Sequence, residues 1–167
     1  MVADAPLWST FTARAELLGT AVMRTASQET AASLLLEAAP GYACTRHAAN
    51  RFPRVAQRAS DAPQEIVAAG VFAVAETGSV AINEPADDRG RCFLAERLWL
   101  LVAESALVPN LDVGLQRMGE LIRAGAKHPL LMSGPSRTAD IERVLTIGVH
   151  GPRALVIVVV GGSCPQA

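Results

Sequence analysis

LLMSGPSRTADIERVLTIGVHGPRALVIVVVGG, from Leu130 to Gly162, holds within one stretch the alternation that decides the fold. Leu130-Leu131-Met132 is a short apolar run that stops at Ser133-Gly134-Pro135. Ser136 and Thr138 are N-cap residue types, so a helix is predicted from about Ala139. Asp140 and Glu142 then fall in its first turn, where the helix dipole favours carboxylates. Ile141, Val144 and Leu145 give it one apolar face, Gly148 caps its end, and Gly151-Pro152 forbids continuation. Ala154 to Val160 reads ALVIVVV, apolar on both faces, as expected of a strand covered on both sides by helices.

The same alternation extends outward. Trp8 to Leu18 is predicted helical, Ala21 to Met23 extended, and Ser27 caps a helix that Pro40-Gly41 ends. Tyr42 to Thr45 is a weak strand. His47, Arg51, Arg54 and Arg58 recur at steps of four, three and four, a basic stripe on a helix that Pro53 interrupts. Pairing with carboxylates elsewhere, or plain solvation, is the expectation for that face, with a phosphate- or partner-binding surface as the alternative. Ile66 to Asn83 reads as two strands joined at Glu76-Thr77-Gly78, with glycine supplying a positive φ. Glu84 to Gly90 reads as a polar loop. RCFLAER (Arg91 to Arg97) reads as a helical turn and Leu98 to Ala103 as a buried strand. Asn110 caps a helix whose core face is expected at Leu111, Leu115, Met118 and Ile122. Strands alternating with helices of this size point to one α/β domain, residues 1–167, with helices covering a mainly parallel sheet.

The chain has 167 residues, half of them hydrophobic and 19% charged, the composition of a packed globule. A net charge of −1 gives no reason to expect nucleic acid or an anionic membrane. Cys44, Cys92 and Cys164 stand far apart with no CxxC pair, which excludes a local zinc or iron–sulfur motif and suggests reduced thiols. No apolar run approaches a membrane span, and a cytoplasmic location is expected. No G-x-G-x-x-G follows a predicted strand, so no dinucleotide site is expected.

SGPSRTADIE (Ser133 to Glu142), GVHGPRAL (Gly148 to Leu155) and, upstream, AETGSV (Ala75 to Val80) resemble the motifs of the lactate-utilisation domain family. Together they cover 24 of the 167 residues. The resemblance implies a three-layer, Rossmann-like fold with a mainly parallel sheet, of the kind shared by sugar-phosphate isomerases and coenzyme A transferases. It also implies a part in L-lactate oxidation to pyruvate beside iron–sulfur partner proteins, with no cofactor in this chain. Where the family often carries histidine before the strand matching Trp99 to Val102, this chain has Arg97-Leu98.

Both motif loops are candidate sites, because open α/β sheets bind ligands at the carboxyl ends of their strands. Ser133, Gly134, Ser136, Arg137 and Thr138 offer hydroxyls, backbone amides and a guanidinium fork that suits a carboxylate or phosphate. Thr77 and Gly78 belong to the other loop. Glu76, Glu142 and His150 are candidate acid–base or nucleophilic groups. A purely mechanical reading competes at each position: Pro135 stiffens a turn, a hydroxyl caps a helix, Gly78 turns a hairpin, and His150 locks a loop. Three functions stay open on these residues. One is an accessory protein of lactate oxidation binding a small carboxylate. Another is an independent isomerase or transferase for a phosphosugar or acyl-coenzyme A. The third is a structural binding module.

Overall fold

The structure is a computed structural model describing residues 5–56, 64–138, 146–147 and 151–162. The chain runs α1 (Ala5–Leu17), β1 (Ala21–Thr25), α2 (Gln28–Ala38), β2 (Ala43–Cys44), α3 (Arg46–Arg51) and α4 (Pro53–Ala56). It continues through β3 (Glu65–Val74), β4 (Ser79–Ile82), α5 (Ala86–Leu94), β5 (Arg97–Ala103), a 3-10 turn (Glu104–Ala106) and β6 (Leu107–Val108). Then come α6 (Leu111–Arg123), β7 (Leu130–Met132), β8 (Arg137–Thr138), β9 (Thr146–Ile147) and β10 (Ala154–Val160).

The last apolar run takes the central place its composition demands. β10 lies between β1 and β5, parallel to both, with Val158 opposite Met23 on one side and Leu101 on the other. The sheet order is β1-β10-β5-β3-β4-β7, with β2 and β6 also pairing to β3. The β1, β10, β5 and β3 ladders are parallel, whereas β4 runs antiparallel to both β3 and β7.

Side chains alternate across the parallel half, so each strand feeds two cores. Leu155, Ile157 and Val159 join Leu98, Leu100, Phe11 and Ala15 beneath α1. Val156, Val158 and Val160 join Trp99, Leu101, Leu35 and Phe52 beneath α2, α3 and α4. A third cluster of Phe72, Val74, Ala81 and Val108 packs against Val113, Met118 and Leu121 of α6. Helices therefore cover both faces of a mostly parallel sheet, the three-layer α/β arrangement expected from the sequence.

Capping chemistry sets the helix starts. Ser27 accepts from Thr30 N, and Thr30 returns the bond to Ser27 N, closing a capping box on α2. Asn110 caps α6 through Val113 N at 3.0 Å. Thr45 caps α3 through Ala48 N, and Pro53 breaks the basic segment into α3 and α4. Within that segment Arg46 pairs with Asp88, Arg54 with Glu29, and His47 faces Glu84, while Arg58 lies outside the described residues.

Three expectations need correction. Arg137–Thr138 is a strand paired antiparallel with Thr146–Ile147, so the expected helix does not reach Ile147. Thr138, Thr146 and Ile147 are β-branched, which favours extended pairing. The Ser136 amide is already donated to the Pro152 carbonyl at 3.1 Å. Residues 139–145, with Asp140, Glu142 and the rest of that expected helix, lie outside the described residues, as do Gly148 and His150. The segment Glu84 to Gly90 is not a loop throughout: α5 begins at Ala86, with Asp87 and Asp88 in its first turn. In α6, Leu115 and Ile122 are 54% and 56% exposed, and the expected Met118 packs together with Val113 and Leu121.

Candidate functional site

Because β4 is antiparallel to both neighbours, β3 and β7 run in the same direction. The turn after β3 (Glu76-Thr77-Gly78) and the loop after β7 (Ser133 to Ser136) therefore leave the same end of this part of the sheet. They lie side by side, joined by a 2.6 Å hydrogen bond between the Ser79 and Ser133 hydroxyls.

Both loops press on the C-terminal turn of α1. Gly78 has φ +65°, and a Cβ there would stand 2.4 Å from Ala15 N and 2.7 Å from the Arg14 carbonyl carbon. Gly134 has φ +78°, and its Cβ would stand 2.9 Å from the Leu18 carbonyl oxygen. The glycines allow one backbone to approach another, a demand local to the fold. Arg137 reaches the same turn: Nη2 donates to the Leu18 carbonyl at 2.9 Å while the residue stays exposed. Among the described residues that bond takes up one of the fork's five N–H donors.

The remaining candidates divide. Glu76 Oε2 accepts from Leu111 N at 2.8 Å, so its carboxylate helps cap α6. The Thr77 hydroxyl is buried and has no hydrogen-bond partner among the described residues. Ser136 is held through its backbone to Pro152. Glu142 and His150 fall outside the described residues, so a Glu76–His150 pair has no described geometry.

A second polar centre, absent from the sequence expectations, is built around Glu84. The Ala69 amide lies between the last β2 pair at Val67 and the first β4 pair at Gly70. It donates instead to Glu84 Oε1 at 3.3 Å, and the Thr45 hydroxyl donates to the same oxygen at 2.7 Å. The Glu84 side chain is fully buried, and among the described residues Oε2 accepts no hydrogen bond, with His47 Nδ1 standing 3.7 Å away. Burial pushes the Glu84 carboxyl up, against the opposing pull of Thr45, Ala69 and His47. Asp88 next to it behaves oppositely. Burial would raise it, but bonds from the Arg46 amide and guanidinium and from Arg91 hold it below the usual carboxylate range. Burial drives the Cys44 and Cys92 thiols up to about 12, so both are neutral at ordinary pH. Among the described residues, no group of three or more His, Cys, Asp or Glu is placed to hold a metal ion.

The model of the LUD domain matches residues 66–160, more than half of the chain and a span containing both motif loops. The chain belongs to the LUD domain family. Relatives called lactate utilization protein C are 31% identical in Deinococcus radiodurans, over 65% of this chain and 52% of that protein. The relative from Geobacillus kaustophilus is 30% identical, over 77% and 55%. The chain thus spans about half the length of the curated relatives it matches. A crystal structure of a DUF162 family protein from Deinococcus radiodurans superposes with a TM-score of 0.72 at 19% identity, covering 96% of this chain and all of the other. That likeness fixes the fold. Within the LUD span lie Glu84 and Asp88, whereas Thr45, Arg46 and His47 reach them from the preceding segment. One local signal pointed to α5, namely Asp87-Asp88 ahead of Arg91 at helical spacing. Nothing local marked Glu84 as buried.

Proposed function

We propose that this LUD domain is an accessory component of lactate utilisation that binds a small carboxylate where the two motif loops meet α1. The observation that carries the reading is the junction itself: two sequence-distant loops joined through Ser79 and Ser133, with the exposed Arg137 guanidinium beside them. Arg137 would take the carboxylate, and the Thr77 and Ser133 hydroxyls are the nearby polar groups suited to a hydroxyl or keto oxygen. The relatives are named for lactate utilization, and the ligands taken in this reading are L-lactate and its oxidation product pyruvate. In this reading the redox step belongs to iron–sulfur proteins acting with the chain in the cytoplasm. The chain's own part is to bind and orient a carboxylate.

Titration of the purified chain with L-lactate, pyruvate, acetate and inorganic phosphate tests the reading. Saturable binding of the first two, with shifts confined to residues 77–79 and 133–137, is expected. Affinity purification from cells growing on lactate should also bring down iron–sulfur proteins. Tighter binding of phosphosugars or acyl-coenzyme A than of lactate would replace this reading with that of an independent enzyme.

A further inference from the structure

At the opposite end of β7 from the motif loops, a cleft of about 540 Å³ opens between α5, the last turn of α6 and the segment entering β7. Its size falls within the range of small-molecule sites, about 300–1,000 Å³. Arg89 and Phe93 face it from successive turns of α5, and Lys127 and His128 face it from the α6–β7 connection. Ile122, 56% exposed, and Leu130 supply its apolar wall.

Elsewhere on the molecule Arg24, Arg46, Arg54, Arg91, Arg97 and Arg153 each pair with a carboxylate, although Arg14, Arg117, Arg123 and Arg137 have no such pair among the described residues. Arg89, Lys127 and His128 have no ion pair among the described residues, and no carboxylate lines the cleft. Three basic groups from two separate segments therefore converge on apolar surface without a counter-charge. Lys127 and His128 also lie just past the C-terminus of α6, where cations are favourable, but Arg89 belongs to a different helix.

We propose that this cleft binds a small organic anion with an apolar body. Its carboxylate or phosphate head lies among Arg89, Lys127 and His128, and its chain lies over Phe93, Ile122 and Leu130. The position is separate from the motif loops, so the proposal does not depend on lactate binding there.

The test is titration of the full chain with octanoate and octyl phosphate, with octanol and inorganic phosphate as controls, followed through the Ile122 and Leu130 methyl resonances. Octanoate or octyl phosphate should saturate those shifts, and the stronger of the two identifies the head group. Octanol and inorganic phosphate should each bind at least about tenfold more weakly, since each lacks one half of the recognition. Arg89→Gln and Lys127→Gln should each weaken the anion about fivefold, the worth of a partly exposed charge contact. Octanol binding as well as octanoate, unchanged affinity in both variants, or no methyl shift up to millimolar ligand would overturn the proposal. A tetraglutamate peptide binding more tightly than octanoate would overturn it too, by showing an acidic protein partner.

Discussion

The Thr45 hydroxyl donates to Glu84 Oε1 at 2.7 Å while accepting from the Ala48 amide at 3.2 Å, so one buried carboxyl holds the cap of α3. The same oxygen satisfies the Ala69 amide in the gap between two strand pairings. Glu84→Ala would orphan both donors and leave a cavity, and should cost about 2–4 kcal/mol. Glu84→Gln keeps an acceptor for both donors, and should stay within about 1 kcal/mol of the wild type. Urea unfolding of the two variants checks the difference.

Glu84 also sets a pH dependence. Its carboxyl is raised above the ordinary value of 4.5 in the folded protein, so the folded state holds this proton more tightly than the unfolded chain. The associated stability is fully present below the unfolded value and is lost as pH rises through the folded one. Glu84→Gln should remove that decline, flattening the stability profile above pH 4.5. Asp88, lowered from 3.8, acts with the opposite sign. Its contribution is present above the unfolded value and is lost as pH falls through the folded one.

Two glycines should separate sharply. Gly78→Ala places a Cβ 2.4 Å from Ala15 N in a backbone with φ +65°, and should cost more than about 2 kcal/mol in thermal unfolding. Gly90→Ala, inside α5 with nothing within 4 Å of the added Cβ, should stabilise by about 0.5–1 kcal/mol.

Cys44 and Cys92, with thiols pushed up to about 12, should resist thiol-specific reagents at pH 8 in the native state and react fully in denaturant. Substituting Cys164→Ser isolates their contribution. Rapid native labelling of that variant would show the α5–β2 region to be open.

The fold was legible where a few neighbouring residues decide the outcome. ALVIVVV offers water no polar face, and Ser27 and Asn110 carry their capping chemistry within three residues. Gly78 turns the β3–β4 hairpin as expected. What depended on distant partners was not legible. Glu84 looked like part of a polar loop because its partner Thr45 lies 39 residues away and the Ala69 gap exists only once two strands are in place. The periodicity of α6 was read correctly as helical, but it offered two apolar stripes, and the third core cluster chose the one through Val113 and Leu121. The pairing of Arg137–Thr138 with Thr146–Ile147 and the bond from the Ser136 amide to Pro152 both depend on partners across a further segment, which the local hydroxyls do not reveal. The adjacency of the two motif loops followed from strand directions that no single motif encodes.

Arg137 gives the most direct test of the central claim. Its guanidinium is exposed and, among the described residues, bonded to a single backbone carbonyl, so Arg137→Leu should change stability by less than about 1 kcal/mol. Calorimetric titration of L-lactate and pyruvate into the wild type and this variant, with thermal unfolding of both, measures affinity apart from folding. The account predicts a loss of about 1.5–3 kcal/mol in carboxylate binding with little change in unfolding. Equal affinity in the two proteins, or a variant that unfolds early while binding the ligand as before, would contradict it.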